Sequence, residues 1–376
     1  MSWKEQSQTW KTLPLASSVR FFSAVFCLFA ALNLISSGMD FRSQSVFDLV
    51  AQALIGGGCA VLWALAGTRR IIWLFFAVAV LQFSAFTAVG MLSGARHDLA
   101  PHELQLKFIT NGLIEIVLIV AGYVLFLVFF NREGARFFKT QTEFKLAGEI
   151  HRALVPPRHQ TIGNVELFGS SIPSSEVGGD LFDFVQTGAA WHAYVADVSG
   201  HGVGAGILMS MIKSAAAMQL NKLKRPADLL VDLNDVMQPY TSPANYLTFA
   251  YVGGNGTGKL SFALAGHLPI LHYQAADKVI VEHTDSNVPI GLFKDQTFES
   301  SELTLNCGDL LAIITDGFTE VFDKKDREIG MDEFKCMLLA CAEKPLPEIY
   351  NQLRANTMQF GKQTDDQTML LIRRVA

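Results

Sequence analysis

The residues with the clearest chemical potential are aspartates at the ends of apolar, strand-like segments. In AIITDGFTE the apolar run stops at Asp316, and in YVADVSGHG it stops at Asp197. A single aspartate in such a place is most often a turn residue or a helix cap. The pattern recurs, however, at four places in the second half of the chain: Asp180, Asp197, Asp316 and the pair Asp365 and Asp366.

These aspartates predict a divalent metal centre if the fold brings them together. Clustered carboxylates repel one another and lose hydration, which raises their pKa values and destabilises the fold unless cations neutralise the charge. Glycines beside Asp180, Asp197 and Asp316 would let backbone carbonyls and water approach the same place. Oxygen ligands without cysteine or an obligatory histidine favour Mg²⁺ or Mn²⁺ over zinc.

Short alternating strands and a few helices follow residue 158 and must position the aspartates. Two helical stretches lie inside the series of strands and two lie near its end, which favours a mainly antiparallel sandwich flanked by helices over a wound parallel sheet. The predicted strands are 164–172, 180–187, 191–199, 245–254, 259–266, 270–275, 278–283, 309–317 and 368–375, and the predicted helices are 202–220, 226–237, 331–342 and 346–358.

The first 132 residues have a different, strongly apolar character. Half of the whole chain is hydrophobic, only 17% is charged and 28 residues are phenylalanine, which is more apolar than an ordinary soluble domain. Four runs, 21–39, 49–68, 71–95 and 108–130, are long enough to cross a hydrocarbon core. They predict an all-α bundle of four transmembrane helices and not buried core helices. The first run lacks the cleavage site of a signal peptide.

Charge and cysteine content indicate where the chain lies. Lysine and arginine are concentrated before the first apolar run, between the second and third, and after the fourth, which predicts a multi-pass protein in the lipids of the cytoplasmic membrane with both chain ends in the cytoplasm. The five cysteines form no CxxC pair and no zinc spacing, in agreement with a reducing compartment. No basic tract indicates a nucleic-acid partner. Glu115, inside the fourth run, could sense a signal or could lie near the outer surface without a function.

A connecting helix is predicted between the two halves. Phe144, Ala147, Ile150 and Leu154 recur at helical spacing, and two prolines follow them. This helix could pair with a copy of itself in a homodimer and carry a signal, or it could lie on its own domain. The sequence thus predicts three parts: a transmembrane region at 1–132, a linker helix at 133–157 and a strand-rich domain at 158–376.

Six ordered blocks, taken together, resemble a known family. The bacterial stage-II-sporulation-E-like branch of the PPM metal-dependent Ser/Thr protein phosphatases has the same order and register as EVGGDLFDF, ADVSGHGVGAG, LTFAYVGG with AGHLPILHY, IGLF, GDLLAIITDGFTEVFD and DDQTMLLI. The resemblance covers roughly Glu149 to Arg374 and implies an α-β-β-α sandwich with two Mn²⁺ or Mg²⁺ ions at one end of the sheets. The metal ligands that it implies are Asp180, Asp197, Asp316, Asp365 and the carbonyl of Val198. Asp366, at a position where relatives often carry asparagine, is predicted as a further ligand.

The resemblance implies a protein-serine/threonine phosphatase, and the four predicted spans, which have no match in the family, would anchor it in the membrane. Two metal ions about 4 Å apart would lower the pKa of a shared water and aim it at the phosphorus of phosphoserine or phosphothreonine. His201 could protonate the leaving alcohol or could only form a hydrogen bond within the SGHG turn. Asp183 would fix a loop, and His267 is predicted to be structural. In the family the substrate is often a small phosphoserine protein, an anti-sigma-factor antagonist, in a partner-switching pathway.

Other classes of protein fit the sequence less well. GGDLF is similar to the GGDEF of diguanylate cyclases, but Leu181 and Phe182 replace the acidic residue that this motif needs. A transporter would need an ion path, which one internal glutamate does not provide. A catalytically degenerate sensor or binding module of the same fold is the more serious alternative. The presence of aspartate at all four ligand positions argues against it.

Overall fold

The computed structural model describes residues 14–69, 71–93, 97–200, 202–222, 225–242 and 245–375. The chain divides into two compact units, Met1–Gln141 and Thr142–Ala376, and each is described by itself. The helices of the first unit come first along the chain, and the strands named below all belong to the second unit.

Four long helices begin in the first unit and contain the apolar runs. Each is long and apolar enough, by length and composition, to cross a membrane. The second of them begins with a capping box, in which the Ser45 hydroxyl accepts a hydrogen bond from the Asp48 amide and the Asp48 carboxylate accepts one from the Ser45 amide, both at 3.1 Å. The helices are α1 Leu15–Gly38, α2 Val46–Arg69, α3 Ile72–Leu92 and α4 Pro101–Leu154.

Helix α4 is one continuous helix of 54 residues. The sequence predicted a membrane span at 108–130 and a connecting helix at 133–157; the span and the connecting segment up to Leu154 lie within α4, and residues 155–157 follow its end. The helix ends at Leu154, because a proline disfavours the helical conformation of the residue before it, and Pro156 and Pro157 follow here.

Two antiparallel sheets form the second unit. The six-stranded sheet has the order β1-β2-β11-β10-β7-β8, and the five-stranded sheet has the order β3-β4-β5-β6-β9. Every neighbouring pair is antiparallel. The strands are β1 Arg158–Ile162, β2 Val165–Ile172, β3 Leu181–Thr187, β4 Ala190–Val198, β5 Leu247–Gly254, β6 Lys259–Ala265, β7 Ile270–Gln274, β8 Val279–His283, β9 Ser301–Thr304, β10 Leu310–Ile314 and β11 Gln367–Arg374.

The nine predicted strands are all present, and two further strands were missed. Strand β1 has the sequence RHQTI and buries only its last residue, and strand β9 has the sequence SELT and buries only its leucine. Both lie at the edge of their sheet, where one side of the strand has no neighbour. Edge strands are often short and polar, so neither shows the apolar alternation that marks a strand in sequence.

Helices cover the outer face of each sheet and complete the predicted α-β-β-α sandwich. Helices α5 Val203–Leu220 and α6 Pro226–Met237 pack on the five-stranded sheet. Helices α7 Gly330–Leu339 and α8 Leu346–Phe360 pack on the six-stranded sheet. Helix α5 is also long and apolar enough to span a membrane, but one of its faces is buried in the core of this unit.

The six-stranded sheet separates two hydrophobic cores. Along β10, Leu311 and Ile313 point into the core between the sheets, whereas Leu310, Ala312 and Ile314 point into the core beneath α7 and α8. This alternation follows from the two-residue period of a strand. Because both faces are covered, β10 is an apolar run, and it ends at the buried Thr315 and the partly exposed Asp316.

Candidate functional site

Asp180 and Asp197 lie side by side at one edge of the sandwich. Asp180 precedes β3, Asp197 lies at the end of β4, and the register pairs Leu181 with Ala196 between them. Asp180 is 2% exposed, and its side chain shares a hydrogen bond with that of Asp197. Burial, followed by the charges of Asp197 and Asp366, raises the pKa of Asp180 well above its ordinary value. Burial, followed by the charge of Asp316, raises the pKa of Asp197 to about 7.

Asp316 and Asp365 reach the same edge from the other sheet. Asp316 starts a short 3-10 helix directly after β10, and Asp365 comes two residues before β11, the neighbour of β10. Burial, followed by the charges of Glu320 and Asp365, raises the pKa of Asp316 to about 6. The two sheets therefore bring together the four aspartates that the sequence predicted to converge.

Asp366 has a different role from its neighbour. Its buried carboxylate accepts hydrogen bonds from the backbone amides of Ser174 at 2.6 Å and Gly179 at 2.7 Å. It thereby ties the loop before Asp180 to the start of β11. Of the two adjacent aspartates, we therefore interpret Asp365 as the candidate ligand and Asp366, which was also predicted as a ligand, as the residue that holds the loop.

Three glycines make this close approach possible. A β-carbon on Gly178 would lie 2.3 Å from Asp366 Oδ2, and one on Gly317 would lie 2.0 Å from the Asp366 carbonyl oxygen. A β-carbon on Gly179 would lie 2.6 Å from the carbonyl oxygen of Val198. All three distances are too short for a side chain, so the site requires glycine at these positions.

The donor set fits a divalent cation such as Mg²⁺ or Mn²⁺. It consists of carboxylate and carbonyl oxygens, which such cations prefer. The raised pKa values of Asp180, Asp197 and Asp316 show that no positive charge offsets the repulsion between the carboxylates. Within the described part of the chain, no group of three or more histidine, cysteine, aspartate or glutamate side chains already stands in a metal-binding arrangement. A cation between Asp180 and Asp197 would offset the repulsion between their two carboxylates.

Asp183 lies away from this cluster and serves as an anchor. On β3 it pairs in register with Tyr194, and its carboxylate forms ion pairs with Arg158 and, at 2.9 Å, with Lys213 of α5. Lys213 also donates a hydrogen bond to the carbonyl of Leu154, the last residue of α4. Asp183 therefore joins β1, β3, α5 and the end of α4.

The sequence indicated two histidines, His201 and His267. His201 lies outside the described residues. His267 donates a hydrogen bond from Nδ1 to the Leu268 carbonyl oxygen at 3.1 Å, and burial lowers its pKa to about 4, so its ring is neutral at physiological pH. A neutral, partly buried ring agrees with the structural role predicted for His267.

Sequence reasoning missed three residues that support the cluster. Thr315 donates a hydrogen bond to Asp180 Oδ2 at 2.7 Å, and Gln367 donates one to the Gly317 carbonyl at 2.8 Å. His151, on α4, is 3% exposed and lies near the backbone of Asp180 and the carboxylate of Asp366. Thr315 directly precedes Asp316 and Gln367 directly follows Asp366, so their place in the sequence could have indicated them. No feature of the sequence around His151 indicates that it lies near the cluster.

Comparison with known proteins agrees with this architecture. A family model described as stage II sporulation protein E (SpoIIE) matches residues 187–375, about half of the chain. The chain belongs to the SpoIIE family. The matched segment includes Asp197, Asp316 and Asp365 and begins after Asp180.

Two curated proteins of Bacillus subtilis (strain 168) are similar to this SpoIIE-family chain. Phosphoserine phosphatase RsbU is 24% identical over 241 residues, which cover 62% of this chain and 70% of RsbU. Phosphoserine phosphatase RsbP is 26% identical over 187 residues, which cover 47% of this chain and 45% of RsbP. The chain thus spans less than half the length of RsbP.

Solved structures share the fold of this SpoIIE-family chain. The SiaA-PP2C domain of Pseudomonas aeruginosa aligns with a TM-score of 0.56 at 23% identity, covering 64% of this chain and 98% of that domain. The RsbU and RsbW domains of Rv1364c from Mycobacterium tuberculosis align with a TM-score of 0.50 at 24% identity, covering 57% of this chain and 60% of that one. At such identities the likeness shows the fold alone.

Proposed function

We propose that the second unit hydrolyses phosphoserine or phosphothreonine in a protein substrate with the help of two Mn²⁺ or Mg²⁺ ions. The ligands would be Asp180, Asp197, Asp316, Asp365 and the carbonyl of Val198. The observation that carries the proposal is the convergence of these carboxylates at one edge of the sandwich, with raised pKa values at three of them. Membership of the SpoIIE family and similarity to two proteins named phosphoserine phosphatases support the same reaction.

In this mechanism the chain holds the ligands and keeps their geometry. Thr315 orients the carboxylate of Asp180, and Asp366 holds the loop that carries Asp180. When bound, the two cations would activate a water for attack on phosphorus and would bind the phosphoryl oxygens. The charged groups that shift the pKa values of Asp197 and Asp316 most are other carboxylates. Without bound cations the cluster would therefore repel an anionic phosphate.

The assay that tests this proposal uses the full-length protein in detergent or lipid. p-Nitrophenyl phosphate and a phosphoserine peptide are offered with Mn²⁺, with Mg²⁺ and with EDTA. We expect metal-dependent turnover that is lost in Asp197→Asn and in Asp316→Asn. It should be kept in Asp277→Asn, which changes an exposed aspartate in the turn between β7 and β8. A folded protein that hydrolyses neither substrate would favour the degenerate sensor or binding module.

For the physiological substrate we propose a phosphoserine protein of a partner-switching pathway, such as an anti-sigma-factor antagonist. The support is the sequence resemblance and the similarity to RsbU and RsbP. Mass spectrometry of phosphoproteins in cells with and without the Asp197→Asn variant would test it. A single small protein that gains phosphoserine in the variant is the expected result.

We also propose that the region 1–132 anchors the protein in the cytoplasmic membrane by four spans, with both chain ends in the cytoplasm. The support is the length and apolarity of α1, α2, α3 and the first part of α4. The free cysteines Cys307 and Cys336 are exposed in the second unit. A membrane-impermeant thiol reagent should therefore label them only after the membrane is opened. Labelling of intact spheroplasts would place this unit outside the cytoplasm.

The segment 133–157 is proposed to carry a signal to a phosphatase domain at 158–376. One face of the end of α4 packs on this domain, because a β-carbon on Gly148 would lie 2.6 Å from the Glu176 carbonyl, and Leu154 packs against the core. On the same helix Leu146 and Ile150 are exposed, so they are available for a contact in a homodimer while the other face packs on the domain. Leu154→Glu should change turnover in membranes, and unchanged turnover would contradict the proposed role.

A further inference from the structure

An open groove lies beside the aspartate cluster. It has a volume of about 450 Å³, and its walls come from the first turns of α5 and from the 3-10 helix Gln238–Tyr240. The large apolar groups at its surface include Ile207, which is 57% exposed, and Tyr240, which is 62% exposed. Met211 and Leu208 line it more deeply.

This groove, which we call the α5 groove, is continuous with the cluster. Ser199 and Gly200 line it and directly follow Asp197 and Val198 in the chain. Ala205 also lines it, and the β-carbon of Ala205 lies only 3.3 Å from where a β-carbon of Gly179 would stand. The wall of the groove is therefore formed by residues next to two of the candidate ligands, so a protein whose phosphoserine reaches those ligands would bring its neighbouring side chains close to the groove.

The lining indicates which side chain the α5 groove would take. None of the described lining residues is charged. Ser199 and Asn245 are polar, and Ser199 is occupied with the backbone of Tyr246, to which its hydroxyl and its amide are bonded at 2.9 Å each. The groove adjoins the carboxylate cluster through Ser199 and Gly200, and this cluster repels acidic groups. An apolar side chain would gain from burial against Ile207, Met211 and Tyr240.

The position of Tyr240 is fixed by its neighbours. Met237, just before the 3-10 helix, is fully buried, and the Thr241 hydroxyl donates a hydrogen bond to the Gly291 carbonyl at 2.7 Å. The backbone that carries the exposed ring is thus anchored on both sides. A preorganised aromatic side chain loses little conformational freedom on binding, which is why such residues often dominate recognition.

We propose that the α5 groove binds an apolar side chain close to the phosphoserine of the substrate protein, and that Tyr240 and Ile207 determine this specificity. The inference rests on the proposed function, since it names a substrate feature for the same site. It assigns no role in the chemistry to either residue. Their effect should therefore appear only with substrates long enough to enter the groove.

The test compares a small substrate with phosphopeptides on the full-length protein in detergent. A panel of phosphoserine peptides carries leucine or glutamate at each position within three residues of the phosphoserine, and p-nitrophenyl phosphate reports on the catalytic centre alone. At one or more of these positions wild type should prefer leucine to glutamate in kcat/KM. Tyr240→Ala and Ile207→Ser should each reduce that preference about tenfold, through KM, because the lost contact is worth roughly one buried side chain.

Matched controls separate the possible outcomes. Leu339→Ala truncates an apolar residue that is 45% exposed on α7, in the opposite layer of the sandwich, and should change the turnover of neither substrate. Turnover of p-nitrophenyl phosphate should stay at the wild-type level in Tyr240→Ala and Ile207→Ser. The groove assignment would be overturned if both variants kept the wild-type preference for leucine over glutamate, or if their turnover of p-nitrophenyl phosphate and of peptide fell equally. In either case, metal-dependent turnover by wild type would still support the proposed phosphatase activity. Absence of wild-type turnover with either metal would overturn both.

Discussion

Thr315 Oγ1 donates a hydrogen bond of 2.7 Å to Asp180 Oδ2. Thr315 follows β10 of the six-stranded sheet and Asp180 precedes β3 of the five-stranded sheet, so the bond joins the two sheets where the aspartates meet. The same hydroxyl accepts a hydrogen bond from the Thr368 amide at 3.0 Å. One buried threonine therefore couples a candidate ligand to the ladder between β10 and β11.

Replacing this hydroxyl should weaken metal binding. Thr315→Val removes the hydroxyl with little change in shape and leaves an Asp180 oxygen without its partner, whereas Thr315→Ser keeps the donor. Because residues that orient metal ligands typically contribute 10–100-fold in affinity, the valine variant should need about that much more Mn²⁺ for half-maximal turnover of p-nitrophenyl phosphate. An unchanged Mn²⁺ requirement would show that this bond does not orient Asp180.

The metal-free protein should become less stable as the pH rises. The pKa values of Asp197 and Asp316 are about 7 and about 6 in the folded chain, above the ordinary 3.8, so the folded state holds protons that the unfolded state has released. This contribution is complete below about pH 4 and is lost as the pH passes through 6 and 7, at a cost of roughly 2–4 kcal/mol. Saturating Mn²⁺ should abolish the loss.

The melting temperature of the second unit within the full-length protein, followed in EDTA and in Mn²⁺ from about pH 5 to pH 8, measures this effect. Asp197→Asn is the reference, because the difference between it and wild type excludes buried histidines such as His267. The lowered pKa of His267 acts in the opposite direction, adding stability as the pH rises. The prediction would be contradicted if, in EDTA, the melting temperature of wild type rose relative to that of Asp197→Asn as the pH increased.

Gly179→Ala should abolish turnover and leave the fold intact. Its β-carbon would lie 2.6 Å from the Val198 carbonyl oxygen and 3.1 Å from that of Gly200, so one or both carbonyls must move. We expect a loss of about 100-fold or more in turnover of p-nitrophenyl phosphate, since displacements of about 1 Å can cost that much. Gly204→Ala, in the first turn of α5 with open space around it, is the control and should retain activity. Similar activity in the two variants would argue against Val198 as a ligand.

Lys213→Met should loosen the attachment of α4 to the sandwich. The change breaks the ion pair with Asp183 and the hydrogen bond to the Leu154 carbonyl, both of which are partly buried. A loss of about 1–3 kcal/mol in the stability of the second unit is expected, measured by urea unfolding. A double-mutant cycle with Asp183→Asn isolates the pair. Additive effects would mean that Lys213 and Asp183 do not act together.

The sequence predicted the sandwich and its converging aspartates, because apolar alternation and strand-end aspartates are local signals. It missed β1 and β9, whose exposed edge positions demand no apolar pattern. It also could not separate the roles of Asp365 and Asp366, since only the folded loop shows which carboxylate meets the amides of Ser174 and Gly179. The partners of Asp183 were equally hidden, because Arg158 and Lys213 reach it from distant parts of the chain.

The central position of β11 in its sheet affects how the protein folds during synthesis. It fits between β2 and β10, and its Thr368 hydroxyl bonds to Ser171, which lies 197 residues earlier. A chain still on the ribosome before Asp365 has therefore neither the middle of the six-stranded sheet nor the last candidate ligand. A nascent chain without β11 would therefore lack the proposed phosphatase activity, which would appear only when β11 is released and closes the sheet.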